Sequence, residues 1–254
     1  MEKNAPVVSV IMPAYNAERF IEEAIRSVIT QTVTDWELLV LDDGSTDDTA
    51  QIARKLAEED SRIRFLPNKS NMGVARTRNR GFDLCRGQYV ALLDSDDIWL
   101  PEKLEKQLVL AQTTGADVVY CSYGIMDETG RKLCDDFFVP PAVDFDQFLS
   151  RSVISCSTAL LSKKIVDQYR FVADFYHEDL VLWLQLLQDG YQARGVETVL
   201  AKYRVMQGTR AANKFKSALN RWRIYRRHLG LPMGRSLSLL VEYALMGIKK
   251  YKKR

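Results

Sequence analysis

The chain has 254 residues, 46% of them hydrophobic and 27% charged, with a formal net charge of +3; this is an ordinary globular composition and argues against disorder. Its four cysteines (Cys85, Cys121, Cys134 and Cys156) have no CxxC spacing, and neither histidine, His177 or His228, stands in a cluster with them, so reduced thiols are expected rather than a zinc site. The charge is uneven: residues 214–254 carry twelve Lys or Arg against one acid, Glu242, a balance of +11 that leaves −8 on the rest.

The start, MEKNAPVVSVIMPAYN, has no basic region or small-residue cleavage site, so no secretory signal is expected and the chain is placed in the cytoplasm. Val7–Met12, Trp36–Leu41, Ile63–Leu66 and Tyr89–Leu93 read as strands. Amphipathic helices are expected between them at Glu18–Thr30, Asp47–Glu59 and Val74–Cys85, with Asn16, Thr46 and Asn71 as caps. This alternation predicts βαβ units and an α/β fold with a mainly parallel central sheet. A helix over Pro101–Thr113 leads to a strand at Asp117–Tyr123, residues 126–150 read as loop-rich, and a helix over Asp179–Asp189 stops at Gly190.

Open α/β sheets bind ligands beyond the carboxyl ends of their strands. Three polar clusters fall there: Pro13-Ala14-Tyr15-Asn16, Asp42-Asp43-Gly44-Ser45 and Asp94-Ser95-Asp96-Asp97. Acids crowded at a nucleotide-diphosphate site make sense when a hard cation lies between the two charges. Asp94 and Asp96 are two apart, so both can approach Mn²⁺ or Mg²⁺, with Ser95 as the turn residue between them. Neither GxxxxGK[ST] nor GxGxxG occurs, which removes the main support for P-loop hydrolases and dinucleotide oxidoreductases. Tyr203-Arg204 ends an apolar run before a Gly208-containing loop, and Arg204 is a candidate to close over the diphosphate or, equally, a surface charge.

The segments VSVIMPAYNAERFIEEAIRSVITQT, WELLVLDDGSTDDT, NMGVARTRNRG, YVALLDSDDIW and HEDLVLW closely resemble, in order and spacing, the family 2 glycosyltransferases of the GT-A fold. The resemblance spans about residues 7 to 210 and is nearest to members that build bacterial capsule, teichuronic acid or lipopolysaccharide. It implies inverting transfer of a sugar from a UDP-sugar donor. Tyr15 would stack on the base, Pro13, Ala14 and Asn16 would shape its pocket, and Asp43 would accept the uracil N3 proton, leaving Asp42 to orient the loop. Gly73 would allow close backbone approach and Arg76 would reach the phosphates or sugar, whereas Arg78 and Arg80 read as solvated helix charges. Asp94 would contact ribose or donor sugar, and Asp96 would be the principal metal ligand. Asp179 would be the catalytic base, with Glu178 on an acceptor hydroxyl and His177 near the metal or diphosphate. Ile154–Thr158 would line the acceptor side.

On this reading residues 1–100 bind the sugar nucleotide, 101–213 supply the acceptor side and base, and 214–254 form a basic amphipathic helical extension. In that extension Leu237–Ile248 is apolar apart from Ser238 and Glu242, then gives way to Lys249, Lys250, Lys252, Lys253 and Arg254. About a dozen residues are too few to span a bilayer, which needs roughly 20. An interfacial helix at an anionic membrane surface, on the inner face of the cytoplasmic membrane, is expected, beside polyprenyl-diphosphate-linked saccharide acceptors. Packing of this helix on the domain or on a homodimer partner is the competing reading. No nucleic-acid partner is expected. The rival functions are a nucleotidyltransferase on a related fold and a non-catalytic sugar-nucleotide-binding protein.

Overall fold

Two runs, VSVIMPA and WELLVLD, are buried at every position and form β1 (Val8–Ala14) and β2 (Trp36–Asp42); near-continuous apolar strands of this kind belong to parallel sheets covered on both faces. The computed structural model describes residues 5–206 and 214–251. In it β1 pairs in parallel with β2 and with β4 (Tyr89–Leu92), and β2 with β3 (Ile63–Phe65). The crossovers are α1 (Ile21–Ile29), α2 (Thr49–Glu59) and α3 (Val74–Leu84).

The expectation of a mainly parallel sheet describes this first half, and the sheet as a whole is mixed. After β5 (Ile98–Trp99), α4 (Lys103–Thr114) and β6 (Val118–Met126), the chain adds β7 (Ala142–Val143), α5 (Phe145–Ser150), β8 (Leu160–Ser162), α6 (Lys163–Gln168), α7 (Glu178–Gln188) and β9 (Ala193–Arg204). The strand order is β3-β2-β1-β4-β8-β6-β9-β5, with β7 on β9. β8 runs antiparallel to both β4 and β6, while β6 and β9 are parallel. Loop-rich 126–150 therefore contains β7 and α5; each is too short to leave a periodic signal.

Successive β1 residues feed opposite cores, Ile11 toward α3 and α7 and Val10 and Met12 toward α1 and α4. α7 is buried nearly all round through Leu180–Leu187, as a core helix should be. Gly190, at φ 85, stops it in the left-handed conformation. The helix starts differ from the sequence reading. Phe20, Asp48 and Gly73 occupy the N-cap positions of α1, α2 and α3, and Pro101 lies two residues ahead of α4. Asn16 instead accepts a hydrogen bond from the Thr46 amide at 2.9 Å, tying one strand-end loop to another.

Beyond the sheet, α8 (Lys214–Arg223) runs into a π-helical turn at Ile224–His228, followed by α9 (Met233–Tyr251). Both α8 and α5 pack against α9. Arg221 of the basic extension is buried: its Nη1 donates to Tyr225 Oη at 3.0 Å and its guanidinium lies over the Tyr243 ring at 4.0 Å. The Gly208 loop and Lys252-Lys253-Arg254 lie outside the described residues.

Candidate active site

The parallel register carries the three polar clusters to one edge. Ala14 pairs with Asp42, and Ile11 with Leu92, so Tyr15-Asn16, Asp43 and Asp94 leave adjacent strand ends together. Tyr15 is 51% exposed at the rim, a ring open to stacking. Asn16 takes φ 49, a left-handed conformation that Asn tolerates better than most side chains, and its N–H donates to Ser45 Oγ at 3.0 Å. Pro13 and Ala14 are the buried last residues of β1.

Asp43 holds the loop that precedes α3. Its Oδ1 accepts from Asn68 Nδ2 at 2.7 Å and from the Met72 amide at 2.9 Å, and its Oδ2 accepts from the Gly73 amide at 2.8 Å. Asp42 orients its own loop, Oδ1 accepting from the Ser45 amide at 3.3 Å, and Asp43 fastens the second loop while keeping acceptor capacity for a base on Oδ2 alone. Gly73 needs its freedom, since φ is 85 there.

Of the α3 arginines, Arg78 departs from the solvated charge expected of it. Arg76 is exposed. Arg78 is only 4% exposed and spans two acids, with Nη2 2.5 Å from Asp94 Oδ1 and Nη1 2.7 Å from Glu178 Oε1. Its position was legible: Arg78 lies three residues after Ala75 and four before Phe82, on the buried face of α3. Arg80 is not a solvated charge either, because its Nη1 donates to the Leu66 and Pro67 carbonyls and to Asn68 Oδ1.

Asp94 is fixed at its amide by Ser157 Oγ at 3.0 Å. Ser95 is half-buried in the turn. Burial first, and then the neighbouring Asp94 carboxylate, push the Asp96 carboxyl up to about 6, with Arg204 and Arg78 opposing them in part. Asp97 is fully enclosed and driven well above the usual carboxylate range by burial and by Asp96 and Asp94. No group of three or more His, Cys, Asp or Glu side chains is arranged to hold an ion among the described residues. Hard oxygen donors from Asp94 and Asp96 therefore fit Mn²⁺ or Mg²⁺ only as part of a shell that substrate phosphates and water complete.

Arg204 is neither a surface charge nor available to close over a diphosphate in this structure. It is 3% exposed and fully engaged inside the protein. Its Nε donates to the Asp96 carbonyl at 2.8 Å, Nη2 meets Glu23 Oε2 at 2.6 Å, Nη1 reaches the Asp127 and Glu128 carbonyls, and its amide donates to Asp97 Oδ1 at 2.8 Å. The clamp fastens the Asp94–Asp97 turn from beneath.

Glu178 is buried against Arg78, and Asp179 begins α7 half-buried, with Oδ1 accepting from the Leu180 amide at 2.8 Å. Burial raises the Asp179 carboxyl above its ordinary range, partly opposed by Arg78, which makes it a stronger proton acceptor once ionised. Asp179 lines a cavity of about 200 Å³ with Trp183, Ile154, Arg221 and Tyr243. His177 Nε2 pairs with Ser217 Oγ of α8 at 3.0 Å. Cys156–Thr158 form a 3₁₀ turn with Ser155 at the N-cap, ahead of β8.

Set against known proteins, residues 9–170 match the family model described as glycosyl transferase family 2. The chain is 35% identical over 247 residues, 96% of its length and 95% of the relative's, to the Escherichia coli UDP-Glc:alpha-D-GlcNAc-diphosphoundecaprenol beta-1,3-glucosyltransferase WfgD. It is 34% identical over 245 residues, 96% and 97% of the two chains, to a Bacillus subtilis (strain 168) protein provisionally named as the teichuronic acid biosynthesis glycosyltransferase TuaG. Among solved structures, the mannosyltransferase PcManGT from Pyrobaculum calidifontis in complex with GDP-Man and Mn²⁺ superposes with a TM-score of 0.71 at 20% identity, covering 95% of this chain and 70% of that one. The fold is GT-A.

Proposed function

The chain belongs to glycosyl transferase family 2, and from that premise we propose that it is an inverting, divalent-metal-dependent enzyme that moves a sugar from a UDP-sugar to a hydroxyl of a polyprenyl-diphosphate-linked saccharide in bacterial surface-polysaccharide synthesis. One observation carries this reading: Arg78 joins Asp94, at the strand edge, to Glu178, the immediate neighbour of Asp179. The donor turn and the residue beside the proposed base are thus tied through one guanidinium.

In this mechanism the base of UDP lies on Tyr15, beside Asn16 and the remaining acceptor position of Asp43. Asp94 and Asp96 hold Mn²⁺ or Mg²⁺, which when bound stabilises the diphosphate as a leaving group. Ser157 and Arg204 keep the turn carrying both aspartates in place. An acceptor hydroxyl oriented by Glu178 gives its proton to an Asp179 carboxylate oxygen while its oxygen attacks the anomeric carbon opposite the diphosphate. UDP leaves with the bonding pair, and configuration inverts. A base so placed contributes about 10² to 10⁴ in rate. The experiment is a UDP-release screen over a donor panel, with and without Mn²⁺, in the presence of diphosphate-lipid saccharides. Pyrophosphate release from a nucleoside triphosphate, or binding without turnover, would favour the rival functions.

The C-terminal helices support a peripheral membrane location on the cytoplasmic side. α9 buries Ser236 and Leu239 against the domain, while Met233, Leu237 and Val241, one turn apart on its other side, are 64%, 57% and 51% exposed. An apolar stripe of this spacing followed by a polybasic end suits a bilayer interface. No helix among the described residues is long and apolar enough to cross a membrane.

A further inference from the structure

A cavity of about 560 Å³ lies beside Glu178, walled by the first turn of α3, residues 173–178 and α8. Tyr15, Asp43, Asp94 and Asp96 do not line it, whereas Met72 and Gly73, whose amides donate to Asp43, do, so it borders the nucleotide edge without containing the paired aspartates. Val74 and Ala75 line it too, at the start of an 11-residue helix, where first-turn amides have no intrahelical acceptor and the helix dipole favours an anion. Lys216 and Arg223 add two cations to the lining and Asp174 one acid, while the second acid there, Glu178, is paired with Arg78.

Asn220 is an independent pointer to a ligand. It lines the cavity, is 5% exposed and accepts from the Tyr176 amide through Oδ1 at 2.9 Å, yet its Nδ2 has no hydrogen-bond partner. A buried amide donor left unmet is costly unless a bound group satisfies it. The lining is also apolar at its rim, where Met72 is 37% and Leu219 47% exposed.

We propose that this cavity is a subsite for the diphosphate of a lipid-linked acceptor, separate from the donor clamp. Its oxygens would meet the α3 first turn, Lys216, Arg223 and Asn220 Nδ2, with the first carbons of the lipid over Met72 and Leu219. This inference rests on the lipid-linked acceptor reading above. The proposed base is one residue away, since Glu178 lines this cavity and Asp179 lines the smaller one of about 200 Å³. Lys216 and Arg223 supply charge-assisted donors for a diphosphate diester, with Asp174 the acid that offsets part of their charge.

The test is calorimetric titration of dodecyl diphosphate into the full chain saturated with UDP and Mn²⁺, beside inorganic pyrophosphate. The wild type is expected to bind dodecyl diphosphate under UDP saturation, at least tenfold more tightly than pyrophosphate. The Lys216→Glu/Arg223→Glu double variant should lose at least tenfold in that affinity with UDP binding unchanged within twofold, and Leu219→Asp should bring dodecyl diphosphate down to the pyrophosphate level. Displacement of dodecyl diphosphate by UDP, equal binding of the two probes by the wild type, or undiminished binding by the double variant would overturn the proposal. The UDP titration on the same samples reports the donor site separately, so failure of the cavity and failure of the donor reading are distinguishable.

Discussion

Arg78 stands 2.5 Å from Asp94 in the interior of the protein, and the same guanidinium holds Glu178 at 2.7 Å. Removing it leaves Glu178 buried without its cation, facing a partly solvated Asp94. Arg78→Ala is therefore expected to cost about 3 to 5 kcal/mol, the range for breaking a buried pair from one side. Arg78→Lys should restore little, because an ammonium cannot span both carboxylates with a planar fork. Exposed Arg76→Ala should shift stability by less than about 0.5 kcal/mol. Urea unfolding of the three variants measures all of this.

Arg204 offers a second contrast between a structural and a substrate-binding arginine. Its partners are carbonyls and a carboxylate of the protein itself, so Arg204→Ala is expected to destabilise by about 2 to 4 kcal/mol through orphaned buried acceptors. A variant that folds with wild-type stability but loses UDP-sugar affinity would restore the phosphate-clamp assignment.

With Asp96 as the proposed metal ligand, the pH dependence of metal binding follows from its carboxyl. A proton and Mn²⁺ compete for its carboxylate, and burial and Asp94 push that carboxyl up to about 6. Apparent Mn²⁺ affinity should be level above that value and fall as pH drops through it, by up to about tenfold per pH unit. Asp96→Ala should remove the dependence together with most metal-assisted UDP-sugar binding. Titration with Mn²⁺ between pH 5 and 8 checks both.

The exposed stripe of α9 predicts where a membrane would touch. Leu237→Asp, in the middle of Met233, Leu237 and Val241, should weaken co-sedimentation with anionic vesicles while leaving turnover of a soluble acceptor analogue intact. Truncation after Gly230 should weaken vesicle binding at least as much. Unchanged co-sedimentation in both would assign the stripe to another surface, such as a second copy of the chain.

Much of the donor edge was legible because its signals are local. β1, β2 and β4 announce themselves as apolar runs broken by Tyr15-Asn16, Asp43 and Asp94, and the parallel register does the rest. The arginines were misread because motif spacing was weighed above helical phase; Ala75, Arg78 and Phe82 share a buried face. Arg204 was misread for a different reason. Its partners Glu23, Asp96, Asp127 and Glu128 come from distant parts of the chain, and nothing near residue 204 encodes them. β5 and β7 escaped because two residues cannot carry a period, and β9 because its half-buried residues follow no alternation.

The most direct test of the account is the time course of UDP release from UDP-glucose with Mn²⁺ and an undecaprenyl-diphosphate-linked N-acetylglucosamine acceptor, compared between wild type and Asp179→Asn. Acceptor-dependent release by the wild type is expected, with a loss of about 10² to 10⁴ in kcat for the variant and UDP-sugar affinity unchanged within twofold. Wild-type-like turnover by Asp179→Asn would contradict the assignment of the base, and the absence of release from any UDP-sugar would contradict the donor.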